Sequence, residues 1–548
     1  MIACVAVDPS RERAADRNSP LVAWLRAPAF APNALLRADP ASPLAQLSLA
    51  PLLFAALAAI AVVLVFTTEI YIVRNGIGDD GVIYASIVKA FDGNLAHLPS
   101  LGLNRYTAQR CLSPILVRTA LNVLRMPADD PTIIAAYKAA NAISISIALA
   151  CWINAARHLK LSRAGLVAAT LLASFNFVTL YWLPFDPVLV DSMALAIGSL
   201  QLWAYLSRRY VLLAVISAAG GFIWPSATQV GAVMLFLPRP PASSDSAAAP
   251  APAPAALRPS PIDLGVAALV TAGITWYAST LADYVPPYGQ LPATKTLFRL
   301  SCALFCFVTF IALKELVRVG PSLRQLVRLD RDAIAGKVLA AATIIGVSKA
   351  VAWIASAPDT RIPQAADFGM ADVLKGLVFF AVQRPLVSLF AHVGFFGPAI
   401  LLMFWCWRNV CNDARRLGFG LNAALGMAFL MLFNSQSRGA IELMPIIVLL
   451  AASGAARLPW TPRRLLELAG VIFVASKLWY AIVQKPKFDF ASLMDNVGPW
   501  MSNESYYLHG ALTVGISVWF VWTSRQRPAP EETVWLSEEQ PGEARENA

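Results

Sequence analysis

Asp79 and Asp80 stand side by side in GIGDDGVIYASIVKAF, directly after the first long apolar run of the chain. Two chemistries suit paired carboxylates at such a place. Asp is a favoured helix N-cap, and a second acid in the first turn suits the helix dipole. A carboxylate can equally take the proton of a hydroxyl group. Further along the same loop come Arg105 and Arg110. Guanidinium groups hold phosphate oxygens through paired hydrogen bonds. An acid and two arginines in one loop therefore form a set able to handle a substrate with both a hydroxyl and a phosphate.

The elements that must position them are short. After Asp80 the apolar positions are Ile83, Tyr84, Ile87, Val88 and Phe91, with Ser86 and Lys89 on another face. That spacing predicts one helical stripe. A second stripe follows at Leu112, Ile115, Leu116, Thr119 and Val123. Both helices are too short to cross a bilayer and are expected to lie along its surface.

The rest of the chain reads as membrane protein. Of its 548 residues, 57% are hydrophobic and 14% charged, against about 25% charged in ordinary soluble domains. Repeated apolar runs predict about 13–14 helical membrane segments, and the alternating short strands of a β-barrel are missing. The net charge of +11 is spread over short loops between runs, the pattern of topology determinants, so no nucleic-acid partner is expected. Trp182, Trp224, Trp276 and Tyr277 fall at span ends and read as an interfacial aromatic belt. Most of the seven cysteines lie in or beside apolar runs, which argues against a disulfide framework. The four histidines show no ligand spacing.

The expected organisation is a cytoplasmic N-terminal tail (1–47), a first membrane module (48–237) that includes the outer loop 74–130, a Pro/Ala-rich cytoplasmic linker (238–261), a second membrane module (262–524) and a cytoplasmic tail (525–548). Run 210–237 holds Gly220-Gly221 and Trp224-Pro225, which would break a single helix. Taken as a hairpin, it puts the basic loops on one side and both termini inside.

The stretch DDGVIYASIV…LNRYTAQRCLSPILVRTALNVL resembles the first-loop signature of bacterial multi-spanning proteins related to the GT-C glycosyltransferases. Asp80-Gly81 and Tyr84 match its first part; Arg105, Tyr106, Arg110 and Pro114 match its second. The specific match covers roughly residues 69–125. The resemblance implies a GT-C-like helical bundle and a catalytic carboxylate in the first outer loop, at Asp80 with Asp79 as neighbour or substitute. It also implies a polyprenyl-phosphate-linked sugar donor, with Arg105 and Arg110 on its phosphate and Tyr84 and Tyr106 in the cavity. Transfer would take place outside a bacterial cytoplasmic membrane, to a lipid or surface-glycan acceptor.

Two weaker echoes lie beyond it. In FDPVLVDSMALAIGSL, Asp186 and Asp191 flank a span start. Asp186 could cap the span beginning near Pro187, whereas Asp191 sits where an intramembrane acid is a functional candidate. In SQSRGAIELMP, Arg438 and Glu442 are four apart, either a local ion pair or, by the resemblance, an arginine for the donor phosphate beside a second cavity acid. No cofactor is expected, with Asp186 and Asp191 as the acids that could bring in a divalent cation. The short outer segment 485–507 speaks against a large soluble peptide-binding domain. Competing readings are a transporter or flippase built on Lys138, Asp191, Lys349 and Lys477, and a polysaccharide-polymerase-like assembly protein.

Overall fold

The computed structural model describes residues 49–68, 70, 76–78, 80–159, 161, 163–239, 259–283, 294–321, 331–356, 370–455, 460–476, 498 and 501–525. Asp79, Lys477, residues 1–47 and 526–548 of the expected tails and residues 240–258 of the expected linker lie outside them. Among the described residues every regular element is helical.

The first half runs α1 (Leu49–Thr67), α2 (Gly81–Ala90), α3 (Leu112–Val123), α4 (Asp130–Ala156), α5 (Arg163–Ser174), α6 (Asp191–Leu206), α7 (Tyr210–Gly220) and α8 (Ser226–Phe236). The second half begins with the long helices α9 (Pro261–Thr280), α10 (Lys295–Val319) and α11 (Arg331–Ala355). Shorter helices follow: α12 (Met370–Val382), α13 (Val387–Phe396), α14 (Ala399–Trp405), α15 (Trp407–Leu417), α16 (Phe419–Met431), α17 (Met444–Ala455) and α18 (Pro462–Ser476). The last helix is α19 (Asn503–Arg525).

Among the described residues, five helices are long and apolar enough to cross a membrane, or seven when two bent pairs each count as one span. Other apolar runs form helices of 10–17 residues. Gly and Pro cut them: Gly397-Pro398 separates α13 from α14, and Gly418, at φ +139°, separates α15 from α16. Run 210–237 is two 11-residue helices, each about 16 Å long and broken at the Trp224-Pro225 turn. α17 is buried on all sides, whereas α9 presents Ile262, Leu269 and Trp276 outward. A helix that is apolar all round is a core element, and one with an exposed apolar face is suited to lipid.

In the first loop, α2 buries Tyr84, Ile87 and Val88, and Phe91 behind it, as its stripe predicts. α3 differs from its expected stripe. It buries Ile115, Val117 and Leu121 and leaves Leu116 and Val123 exposed. The helix packs on protein through one face and keeps a second apolar face free, which a pattern read for one face cannot resolve.

Candidate functional site

Three distant segments meet at Arg438. Its Nη1 donates to Asp80 Oδ2 at 3.2 Å, and its Nε donates to Asp191 Oδ2 at 3.2 Å. Nη2 lies 3.2 Å from the same Asp191 oxygen. The Trp182 indole N–H also donates to Asp191 Oδ2, at 3.4 Å, and the guanidinium sits 5.6 Å over the Trp182 ring. The Asp191 side chain is 0% exposed, Arg438 10% and Asp80 43%. One guanidinium thus joins an interior carboxylate to one that faces the outside.

Each arm has a local cause. Asp191 opens α6, where the helix N-terminus favours a negative charge. The segment before it is tied down by Asn141 of α4, which donates to the Pro187 carbonyl at 2.9 Å. Trp182 ends a π-helical turn, Val178–Trp182, and packs edge-on against Phe395 of α13 at 5.8 Å. Asp80 occupies the N-cap position of α2 but makes no capping hydrogen bond; its side chain goes to Arg438 instead. The capping alternative for Asp80 is therefore not what the structure adopts. Nor does Asp186 cap a span at Pro187, because the helix begins at Asp191 with Val190 as its N-cap. Asp186 packs under the Asp80 loop. A Cβ on Gly78, whose φ is +75°, would stand 2.9 Å from its Oδ1. Its charge is also within electrostatic reach of Arg438.

The local Arg438–Glu442 pair does not form. Residues Ser437–Leu443 make a 3-10 helix, and at about three residues per turn positions four apart no longer share a face. Arg438 turns to the carboxylates, while the fully buried Glu442 accepts a hydrogen bond from Ser226, the first residue of α8. Glu442 is thus a buried pin and not a cavity wall. Gly198 of α6 makes the approach of this 3-10 segment feasible, since a Cβ there would overlap the Glu442 carbonyl oxygen.

Arg110 forms a second cationic position. It lies 4.5 Å over the Tyr106 ring and 4.8 Å over the Trp224 ring, and Nη1 donates to Tyr84 Oη at 3.4 Å. Its charge is within electrostatic reach of Asp80. Burial lifts the Tyr84 phenol far above its ordinary range, so it stays neutral. Arg105 is exposed and lines a different space, a cavity of 470 Å³ between α11 and the segment 221–229, with Gln109, Thr228, Gln229 and Ser348 as its other polar walls. Lys349 faces outward and Asp191 is locked on Arg438, so these two transporter candidates do not share a path.

Trp182, Trp224, Ser226 and Gly198 were not singled out from sequence as site residues. Trp182 and Trp224 are each 5% exposed and stack on arginines, so they are not part of an interfacial belt. Each has a proline close by in sequence, in Trp182-Leu183-Pro184 and Trp224-Pro225, and the second of these stands at the break between α7 and α8. Among the described residues no three His, Cys, Asp or Glu side chains converge as a metal site. Asp80 and Asp191 instead share a guanidinium.

No protein-family model and no curated protein matches the chain by sequence. Solved structures do match at low similarity. The archaeal oligosaccharyltransferase AglB from Archaeoglobus fulgidus, in complex with an inhibitory peptide and a dolichol-phosphate, is similar at 14% identity and a TM-score of 0.38, over 90% of this chain and 58% of that one. An Archaeoglobus fulgidus oligosaccharyltransferase in complex with Zn and sulfate is similar at 12% identity and a TM-score of 0.34, over 89% and 56%. The chain spans less than two thirds of their length. What bears on function in this chain is the geometry around Arg438.

Proposed function

We propose that the protein is a GT-C-like membrane glycosyltransferase. It moves a sugar from a polyprenyl-phosphate-linked donor to a lipid or surface-glycan acceptor, on the outer face of a bacterial cytoplasmic membrane. The observation that carries this reading is a half-exposed carboxylate, Asp80, held against a nearly buried guanidinium, Arg438, with a second arginine, Arg110, beside it. Asp80 takes the proton of the acceptor hydroxyl as its oxygen attacks the anomeric carbon. The bond from that carbon to the phosphate oxygen breaks, and the phosphate leaves with the electron pair. Arg438 and Arg110 neutralise the charge that collects on it. The neutral Tyr84 hydroxyl holds Arg110 in place. Arg105, on its separate cavity, would meet a more distant part of a substrate.

The deciding experiment is transfer by Asp80→Asn in membranes with a radiolabelled polyprenyl-phosphate sugar. Loss of a general base predicts a fall of about 10²–10⁴-fold with normal insertion and folding. Undiminished transfer removes Asp80 from the chemistry, and ligand movement into vesicles without covalent change would favour the transporter reading.

A further inference from the structure

Arg438 has two carboxylate partners, and they are not equivalent. Asp191 receives Nε at 3.2 Å, Nη2 at 3.2 Å and the Trp182 indole N–H at 3.4 Å, and its side chain is 0% exposed. Asp80 receives a single contact from Nη1, at 3.2 Å, and is 43% exposed. Asp191 begins a helix whose approach is pinned by Asn141, whereas Asp80 ends a loop carrying glycines at positive φ, Gly76 and Gly78. Parting Arg438 from Asp191 would strand a carboxylate in the interior. Parting it from Asp80 returns a carboxylate to the outside, where exposed pairs contribute little.

We propose that Asp191 is the permanent counter-ion of Arg438 and Asp80 its exchangeable one. The Nη1 end of the guanidinium passes from Asp80 to the phosphate of the incoming substrate, and the exchange frees Asp80. This rests on the transferase reading above for the identity of the anion. It adds an order of events: phosphate binding comes first, and the carboxylate becomes available as a base only then. While Asp80 is paired, its Oδ2 is engaged by Arg438. Asp80 and Asp191 contact Arg438 and Asp186 lies within electrostatic reach of it, so a phosphate competes with carboxylates for this guanidinium. Of the two carboxylates in contact with it, Asp80 is the exposed one. Asp191 is then a positioning residue, which aims Arg438 without meeting substrate.

The test is binding by the purified full-length protein in detergent of a polyprenyl phosphate and of the matching uncharged polyprenol. Removing the competitor in Asp80→Asn should tighten the phosphate about threefold to tenfold and leave the polyprenol unchanged. In an Arg438→Lys background the same substitution should bring no gain. Asp191→Asn should weaken the phosphate at least about tenfold with the polyprenol unaltered, and Asp191→Glu should recover part of the loss. A purely structural role for Asp191 would lower both affinities together.

Unchanged or weaker phosphate binding by Asp80→Asn overturns the exchange, as does an equal gain in the lysine background. Absence of any preference for the phosphate over the polyprenol, in both wild type and Asp80→Asn, overturns it too. Failure of the transferase reading looks different. Tighter phosphate binding with undiminished transfer keeps the exchange and removes Asp80 as base, whereas lost transfer with unaltered binding does the opposite.

Discussion

Arg438 Nη1 and the Asp80 carboxylate lie 3.2 Å apart although 358 positions separate them in the chain. The contact closes the first loop onto the 3-10 segment ahead of α17, and Asp191 completes it from α6. A charge in such an interior persists only with partners. Arg438 and Asp191 therefore depend on each other, while Asp80 joins them from the exposed side, and the contacts around them can be tested one at a time.

Arg438→Gln removes the only guanidinium among the described residues that Asp191 pairs with, and leaves that buried carboxylate the Trp182 indole alone. The expected loss is about 3–5 kcal/mol. Arg438→Lys keeps the charge but lacks the fork that reaches two carboxylates, and should fall between. Thermal unfolding in detergent measures both. A glutamine variant as stable as wild type would show that the pair does not hold these segments together.

Gly198→Ala places a methyl group where the Glu442 carbonyl oxygen already sits. The 3-10 segment must then back away from α6, at a cost of about 1–3 kcal/mol or more, and Arg438 leaves Asp191 with it. Gly265→Ala in α9 meets nothing within 4 Å and should be neutral or stabilising by up to about 1 kcal/mol. Paired melting curves separate the two, and equal effects would contradict the close approach.

Ser226→Ala removes the hydroxyl donor from the fully buried Glu442. The expected destabilisation is about 1–3 kcal/mol. Glu442→Gln can still accept from Ser226 and should be milder than Glu442→Ala, which also leaves a void. A glutamine variant as damaging as the alanine one would mean that the acid itself is needed.

Cys111, between the short helix Arg105–Ala108 and α3, is 2% exposed, and burial pushes its thiol from 9.0 up to about 12. At pH 8 the folded protein should therefore hold it almost wholly as thiol. Maleimide modification followed by peptide mass mapping should show it protected, with reaction appearing on unfolding. Rapid labelling of native protein would place this turn in solvent.

Much of the architecture is legible in the residue pattern. The α2 stripe, the break at Trp224-Pro225 and the helical membrane class all follow from local periodicity, from proline and from apolar run length, which are properties of neighbouring residues. Asp80, Asp191 and Arg438 also stand out as candidates, because charge is rare in so apolar a chain. Their relationship is not. The sequence offers Arg438 a partner four residues away in Glu442, and a capping role for Asp80, and both are reasonable local choices. Only the tertiary structure decides against them. The 3-10 winding of Ser437–Leu443 turns Arg438 away from Glu442, Gly198 lets that segment reach α6, and the buried Asp191 then captures the guanidinium, since a charge taken from solvent must find its opposite in whatever the fold brings near.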